Sequence, residues 1–174
     1  MVIPILKPGK IPSLQSSYRP ISLTCNMCKI LEKIISKRIR WYVETNKYLS
    51  AFQYGFRQYR STTDYLINIE SEILDSFANS NYSVVVALDI EKAYEMVWKH
   101  RVLKLLQNIN IVGNTLAFIR NFLSSRTMKV RINDYMSDPV PIENGLPQGS
   151  VLSVILFLVA INDVLNNIEK PVKG

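Results

Sequence analysis

The first residue that offers chemistry is an aspartate at the end of an apolar run. Val84 to Leu88 is short, continuous and rich in β-branched residues, which predicts a strand buried on both faces, and Asp89 follows it directly. An ionised carboxylate in such a place needs a partner, because leaving it unpaired in a low dielectric is costly. The partner could be the following helix, a basic side chain or a metal ion, and this stretch alone leaves all three open.

A second stretch with chemical potential is the loop from Asn144 to Ser150, in which two glycines flank Leu-Pro-Gln. Glycine lets a backbone approach another group closely. The loop leads into an apolar helix, predicted from Val151 to about Leu165, and the amides at a helix start favour an anion such as a phosphate. A tight turn into a buried helix would have the same pattern, so the loop alone does not define a site.

The N-terminal half is predicted to contain strands and two helices. Residues 2–6 are predicted to form an edge strand, where proline is tolerated, and residues 17–23 are extended because a proline restricts the residue before it. A helix over residues 24–44 carries one apolar and one basic stripe. Ser61 and Asp64 predict a capping box that opens the second helix. The apolar residues of the two helices are Met27, Ile30, Leu31, Ile34, Ile35 and Ile39, and then Leu66, Ile69, Ile73 and Phe77.

The C-terminal half adds a hairpin whose exposed face is basic. Residues 126–132 alternate between basic and apolar side chains, which predicts a half-exposed strand, and residues 138–142 form the return strand. Arg126, Lys129 and Arg131 place positive charge on the exposed face. Together these elements predict one compact α+β body, with a lobe boundary near residues 79–81.

Composition narrows the class of protein. The 174 residues carry a net charge of +7, which favours an anionic partner such as nucleic acid. The longest apolar run, residues 151–161, falls short of the roughly 20 residues of a membrane span, and the N-terminus does not resemble a signal peptide. Cys25 and Cys28 form a lone CxxC without the further ligands of a zinc site. We therefore expect an intracellular protein with no membrane partner, in the cytoplasm or the nucleus.

Three blocks of motifs follow one another along the chain. Lys7-Pro8-Gly9-Lys10 precedes Tyr18-Arg19-Pro20-Ile21-Ser22-Leu23, and Gln53-Tyr54-Gly55-Phe56-Arg57 precedes Ser61-Thr62. Leu88-Asp89-Ile90-Glu91-Lys92-Ala93-Tyr94 with Val97-Trp98 then precedes Gly145-Leu146-Pro147-Gln148-Gly149-Ser150-Val151-Leu152-Ser153. In this order the blocks resemble the reverse transcriptase domain of non-LTR retrotransposons, the jockey-like elements especially. The resemblance covers essentially the whole chain.

The resemblance implies a right-hand polymerase fold, with fingers over residues 1–81 and a partial palm over residues 82–174. The basic hairpin, about residues 126–142, would pack towards the fingers. Asp89 would be the first catalytic aspartate and would bind two Mg²⁺ ions, with the backbone carbonyl of Ile90 as a further ligand to one of them. Such ions, about 3.5–4 Å apart, would activate the primer 3′-hydroxyl and stabilise the leaving pyrophosphate.

The resemblance also implies a set of residues that bind the incoming dNTP. Lys7 and Arg19 would grip its triphosphate, as charge-assisted contacts to phosphate should. Gln148 and Gly149 would line the nucleotide, and Tyr94 would close under the sugar and exclude a 2′-hydroxyl. The implied macromolecular partners are an RNA template and a DNA primer, and Arg57 would lie near the template backbone.

The chain departs from the family pattern at four places. Glu95 stands where the family usually has aspartate, Val154 where proline is expected, and residues 58–60 replace a small Pro/Gly turn. The Tyr/Phe-x-Asp-Asp hairpin is absent, the chain stops where the linker to it would run, and a thumb is missing too. Because the reaction needs at least two carboxylates around its metal pair, and Asp163 lies on the wrong helix to substitute, we expect the chain alone to be inactive.

Two other functions are compatible with the same residues. The chain could be a non-catalytic remnant that binds RNA or DNA through its basic residues, in which case binding would depend on salt but not on a metal. It could also be a basic α+β domain with no nucleic-acid partner, in which case binding would be undetectable at low salt.

Overall fold

The computed structural model describes residues 1–164 and has mixed helix and strand, which agrees with the predicted α+β class. The helices and strands of this part are β1 (Val2–Leu6), β2 (Tyr18–Ser22), α1 (Asn26–Thr45), α2 (Thr62–Ala78), α3 (Lys99–Asn108), α4 (Gly113–Leu123), β3 (Thr127–Met128), β4 (Arg131–Ile132), β5 (Tyr135–Met136), β6 (Val140–Pro141) and α5 (Val151–Ile161). Helix α5 ends at Ile161, earlier than the predicted end near Leu165, which itself lies outside the described residues. No helix within residues 1–164 is long and apolar enough to cross a membrane.

The first two strands form an antiparallel hairpin, as the sequence predicts. Val2 pairs with Ser22 and Leu6 with Tyr18, so the two prolines Pro4 and Pro20 lie opposite each other. Neither proline has a backbone N–H to donate. Because they lie opposite each other, neither leaves a carbonyl of another residue type without its donor at this position of the ladder. The N–H of Val2 also donates to the carbonyl of Lys129 at 2.8 Å, which joins this hairpin to the basic one.

The basic hairpin is less regular than the predicted pair of strands. Its outer part pairs β3 with β6 and its tip pairs β4 with β5, each over two residues. Lys129 and Arg131 are exposed, as expected, whereas Arg126 is half-buried beneath the aromatic ring of Phe122, 5.0 Å from the ring centroid. Two of its three predicted cations therefore lie on the outer surface.

The hydrophobic core forms where α5 packs against α1 and α3, with α4 packed on α3. Leu152, Ile155 and Leu156 of α5 are fully buried, as are Val102 and Leu106 of α3. Helix α5 is buried on nearly all sides, which explains why its sequence is apolar without a polar face. This core supports the loop that precedes α5.

The apolar stripe of α1 is exposed over most of its length and is not the face that packs into the core. Met27, Ile30, Leu31 and Ile34 are exposed, and the buried residues of the helix are Glu32, Ser36, Ile39 and Val43. The buried face is the one that contacts α5, where the Glu32 carboxylate accepts hydrogen bonds from donors at the start of that helix. A tertiary hydrogen-bond requirement thus outweighs the periodicity of the apolar residues.

Helix α2 begins as predicted but buries no side chain. The capping box is present, since the Ser61 hydroxyl accepts from the N–H of Asp64 and the Asp64 carboxylate accepts from the N–H of Ser61. The apolar residues Leu66 and Phe77 are 61% and 64% exposed. The cap determines where the helix begins, but no side chain of α2 is buried.

The predicted strand before Asp89 is also wrong. Residues 81–90 have no regular secondary structure and are all exposed, with Val84 at 86% and Leu88 at 83%. A strand exists only when a neighbour pairs with its backbone, and the strands within residues 1–164 pair with one another elsewhere. Asp89 therefore does not lie at the end of a buried strand in this chain.

Candidate functional site

The loop before α5 is anchored on one side by the segment that follows Asp89. The N–H of Leu146 donates to the carbonyl of Tyr94 at 2.7 Å, and that of Gly145 donates to the carbonyl of Val97 at 2.9 Å. A Cβ on Gly145 would lie 2.7 Å from the backbone oxygen of Glu95, and its φ is +86°. Only glycine meets both conditions, so this anchor depends on it.

The other side of the loop is anchored by β2. The N–H of Ser22 donates to the carbonyl of Gln148 at 2.7 Å. Gly149 has φ +105°, and a Cβ there would lie 2.9 Å from the carbonyl oxygen of Ser22. The structure thus brings Gln148 and Gly149 against the end of the strand that carries Arg19.

Tyr94 is held in place by α5. Its ring stacks on Phe157, with 4.8 Å between the ring centroids and 22° between the planes. Burial raises the pKa of the Tyr94 hydroxyl above its ordinary value of 10.0, so the phenol is neutral at physiological pH. The aromatic ring of the predicted sugar contact is therefore fixed by the same helix that follows the glycine loop.

The amides at the start of α5 are already occupied by a carboxylate. Glu32 is 1% exposed, and its Oε2 accepts from the Ser150 hydroxyl at 2.5 Å and from the N–H of Val151 at 3.0 Å. This corrects the expectation that the helix start is open to a phosphate. Sequence reasoning missed Glu32, although it is one of only two acids on a helix that is mostly basic and apolar, and this was a usable signal.

Lys7 and Arg19 lie on the β1–β2 hairpin but differ in their surroundings. Lys7 is half-buried, and its Nζ donates to the carbonyl of Ser16 at 3.0 Å. Arg19 is exposed and pairs with Ile5 in the ladder. Arg19 thus offers its guanidinium to solvent on the strand that anchors the glycine loop at Ser22.

Asp89 and Ile90 lie in the exposed segment and do not form a metal site with other described residues. A carboxylate and a backbone carbonyl are oxygen donors of the type that Mg²⁺ prefers. Among residues 1–164, however, no group of three or more His, Cys, Asp or Glu side chains could hold a metal ion. The donor chemistry suits magnesium but the donors are too few, so no catalytic step can be derived from them. The exposed thiols of Cys25 and Cys28 are free.

Arg57 is engaged within the protein. Its side chain is 8% exposed and forms an ion pair with Glu44, in which Nε and Nη2 donate to the two carboxylate oxygens at 2.9 and 2.6 Å. Nη1 donates to the carbonyls of Ser50 and Gln53. Four of the five N–H groups of the guanidinium are used in this way, and Arg57 holds the loop after α1 closed.

The ion pair predicts a pH-dependent stability. The hydrogen bonds from Arg57 lower the pKa of Glu44 below its ordinary value of 4.5, so their stabilisation is present above that pH and is lost as the pH falls through the folded-state pKa. Glu44→Gln should therefore lower the free energy of unfolding by about 1–2 kcal/mol at neutral pH. Denaturant titrations from neutral pH to below pH 4.5 should show this difference shrinking.

Glu70→Gln is the matched control, because it makes the same change on the exposed surface of α2. It should change the free energy of unfolding by less than about 0.5 kcal/mol. A Glu44→Gln effect that stayed constant as the pH fell below 4.5 would contradict the ion pair.

Comparison with known proteins identifies the class to which this arrangement belongs. Residues 5–173 match the family described as reverse transcriptase (RNA-dependent DNA polymerase). That match covers nearly the whole chain, and the chain belongs to this family. Reverse transcriptases generally use divalent metal ions.

The relatives are polymerases of non-LTR retrotransposons. The chain is 34% identical over 94% of its length to the RNA-directed DNA polymerase from mobile element jockey of Drosophila melanogaster, and 33% identical over 95% to that of Drosophila funebris. It is also 30% identical over 94% to the probable RNA-directed DNA polymerase from transposon BS of Drosophila melanogaster. The chain spans 18% of the length of each of these relatives.

Proposed function

We propose that this chain forms the fingers, residues 1–81, and part of the palm, residues 82–174, of a right-hand RNA-directed DNA polymerase. In a longer enzyme it would help to copy an RNA template into DNA from a DNA primer. One observation carries the proposal: the glycine loop at residues 145–149 is bonded both to Tyr94 and to the end of β2. These three segments contain four of the five residues proposed to bind a dNTP.

Each of those residues has a role that its surroundings support. Arg19 contacts the triphosphate, since it is exposed on the strand that meets the loop. Lys7, which directly follows the last residue of the paired strand β1, contributes a second cation. Gln148 and Gly149 line the nucleotide with backbone that is fixed from both sides, and Tyr94 closes under the sugar because Phe157 holds its ring.

Asp89 and the Ile90 carbonyl are proposed as ligands of Mg²⁺. Bound metal would supply charge stabilisation for nucleotidyl transfer, with two ions in the complete site. The remaining carboxylates would come from the part of a longer enzyme that carries the Asp-Asp hairpin. The thumb would follow that hairpin. Strands of that part would also cover Val84 to Leu88, whose exposure is costly for apolar side chains.

Arg57 is proposed to act on nucleic acid only through the shape of the loop after α1. Its side chain is largely buried and paired with Glu44, so direct contact with the template backbone would have to use the one N–H group that is left. The Glu44–Arg57 pair therefore supports a structural role more than a direct contact.

A primer-extension assay tests the catalytic part of this proposal. The purified chain, with an RNA template annealed to a labelled DNA primer, dNTPs and Mg²⁺, should incorporate no nucleotide, because no group of three or more metal-ligating side chains forms within the described residues and the reaction needs at least two carboxylates around its metal pair. A complete reverse transcriptase on the same substrate serves as the positive control. Template-directed, Mg²⁺-dependent extension that disappears in Asp89→Asn would overturn the prediction of inactivity.

The second candidate function is a non-catalytic nucleic-acid-binding protein. It is favoured by the net charge of +7 and by the exposed cations Lys129 and Arg131 on the basic hairpin. Affinity for an RNA–DNA duplex should then fall steeply with salt and be the same with Mg²⁺ or with EDTA. Binding of a dNTP in the absence of nucleic acid would favour the polymerase-derived function instead.

A further inference from the structure

Glu32 is the one carboxylate of α1 that is completely withdrawn from water. It is 1% exposed, and its hydrogen-bond donors all lie at the junction between the glycine loop and α5: the Ser150 hydroxyl at 2.5 Å, the N–H of Val151 at 3.0 Å and, more weakly, the N–H of Leu152 at 3.5 Å. Burying a charge is costly unless it is fully hydrogen-bonded. A well-packed apolar side chain could fill the same space without that cost, so the position needs an explanation beyond packing.

The hydrogen bonds explain what the carboxylate does. The first amides of any α-helix have no partner within the helix, so those of Val151 and Leu152 depend on Glu32. The Ser150 hydroxyl makes two hydrogen bonds. Its oxygen caps the helix by accepting from the N–H of Ser153, and its proton is donated to the Glu32 carboxylate. The carboxyl end of the loop is thereby fixed to α1.

The loop is then held at two points two residues apart. Gln148 is held by Ser22 through a main-chain hydrogen bond, and Ser150 is held by Glu32 through a side chain. Gly149 lies between them, with a conformation that only glycine adopts readily. With both ends tethered, the backbone at 148–149 has little freedom to move away from β2.

We propose that Glu32 is a positioning residue for nucleotide binding. It fixes the Gln148–Gly149 backbone, and its own carboxylate accepts the hydrogen bonds of the first α5 amides. This inference rests on the proposed function, which places a dNTP against that backbone. It has one further consequence. Because a carboxylate already occupies the helix start, the triphosphate binds to the cations of the β1–β2 hairpin, Lys7 and Arg19, and not to the amides of α5.

Two substitutions separate the geometry of Glu32 from its charge. Glu32→Gln keeps an acceptor oxygen where Oε2 lies, whereas Glu32→Leu keeps a similar volume but offers no acceptor. Ser150→Ala removes the 2.5 Å donor and leaves the core untouched, which covers the case in which Glu32→Leu folds poorly. Glu70→Gln, on exposed α2, controls for the loss of one negative charge.

The readouts are amide hydrogen exchange and equilibrium binding of dTTP with Mg²⁺, both on the full 174-residue chain. In Glu32→Leu, exchange at Val151 and Leu152 should accelerate by roughly tenfold to a hundredfold, because buried donors lose their acceptor. Exchange at Leu106 and Ile119 in the core should stay unchanged. The Kd for dTTP should rise by roughly tenfold or more in Glu32→Leu and by less than about threefold in Glu32→Gln and Glu70→Gln.

Three other outcomes would contradict the positioning role, its link to the nucleotide, or the proposed function. Unchanged exchange at residues 151–152 in both Glu32→Leu and Ser150→Ala would overturn the positioning role. Faster exchange with an unchanged Kd for dTTP would show that the loop is held for a reason unrelated to the nucleotide and would overturn the proposal too. If the unsubstituted chain binds no dTTP, the proposed function itself fails, and the exchange data alone then decide whether Glu32 holds the loop.

Discussion

Gly149→Ala should detach the glycine loop from β2. The methyl group would lie 2.9 Å from the Ser22 carbonyl oxygen, and the backbone at φ +105° is one that alanine rarely adopts. Both effects act against the native conformation, and we expect the free energy of unfolding to fall by at least about 2 kcal/mol. Because the clash involves backbone on both sides, relief requires the loop to move away from Ser22. Denaturant titration and amide exchange at Ser22, whose N–H donates to Gln148, measure the two parts of this result.

Two glycine-to-alanine controls separate the clash from the backbone conformation. Gly9 also has a positive φ, +71°, but a Cβ added there would meet nothing within 4 Å, so Gly9→Ala should show the conformational cost alone, about 1 kcal/mol. Gly55 has open space and no positive φ, and Gly55→Ala should be neutral or slightly stabilising. If Gly149→Ala proved no more costly than Gly9→Ala, the close approach of the loop to β2 would be contradicted.

Leu156→Ala should be among the most destabilising single changes in the chain. Leu156 is fully buried in α5. Truncating a leucine in such a place leaves a cavity and typically costs about 2–5 kcal/mol of unfolding free energy. For a domain of this size, a loss at the upper end would leave little net stability. The free energy of unfolding from denaturant titration, compared with the unsubstituted chain, is the measurement.

Leu88→Ala provides the matched comparison, because the same atoms are removed from a residue that is 83% exposed. It should change the free energy of unfolding by less than about 0.5 kcal/mol. A buried strand at residues 84–88 would instead make Leu88→Ala nearly as costly as Leu156→Ala. The ratio of the two effects thus decides between the exposed segment of the structure and the strand that the sequence predicts.

The features that could be predicted from the sequence are those that depend on nearby residues. The capping box of Ser61 and Asp64 is complete within four residues, and the strand at Val2 to Leu6 follows from local composition and proline placement. The loop at Gly145 to Gly149 was also visible as two glycines around a proline. In each case the signal and the structure lie in the same short segment.

The features that could not be predicted depend on partners distant in sequence. The run at residues 84–88 has the composition of a buried strand, but the described chain provides no strand beside it. The buried face of α1 is set by Glu32, whose acceptor role is defined by Ser150 and Val151 more than a hundred residues later. Periodicity detects apolar residues and gives no sign that a carboxylate will be needed in the interior.

In the candidate site, too, local features could be predicted and contacts between distant segments could not. Motif resemblance singled out Gln148, Gly149, Tyr94 and Arg19, and the structure connects the segments that carry them. Two tethers hold those segments. One is the backbone amide of Ser22, whose motif block does not indicate which carbonyl it would meet, and the other is the core aromatic ring of Phe157, which lies in none of the motif blocks. Spacing along the chain could not show which of them would meet.

Binding of dTTP to the purified chain tests the central claim, that these segments form a nucleotide site, most directly. We predict saturable binding that weakens with salt and is at least about tenfold weaker in Arg19→Gln, since a charge-assisted phosphate contact is lost. Arg120→Gln, the same change on the exposed surface of α4, should bind as the unsubstituted chain does. The absence of saturable binding, or equal losses in the Arg19 and Arg120 variants, would contradict the claim.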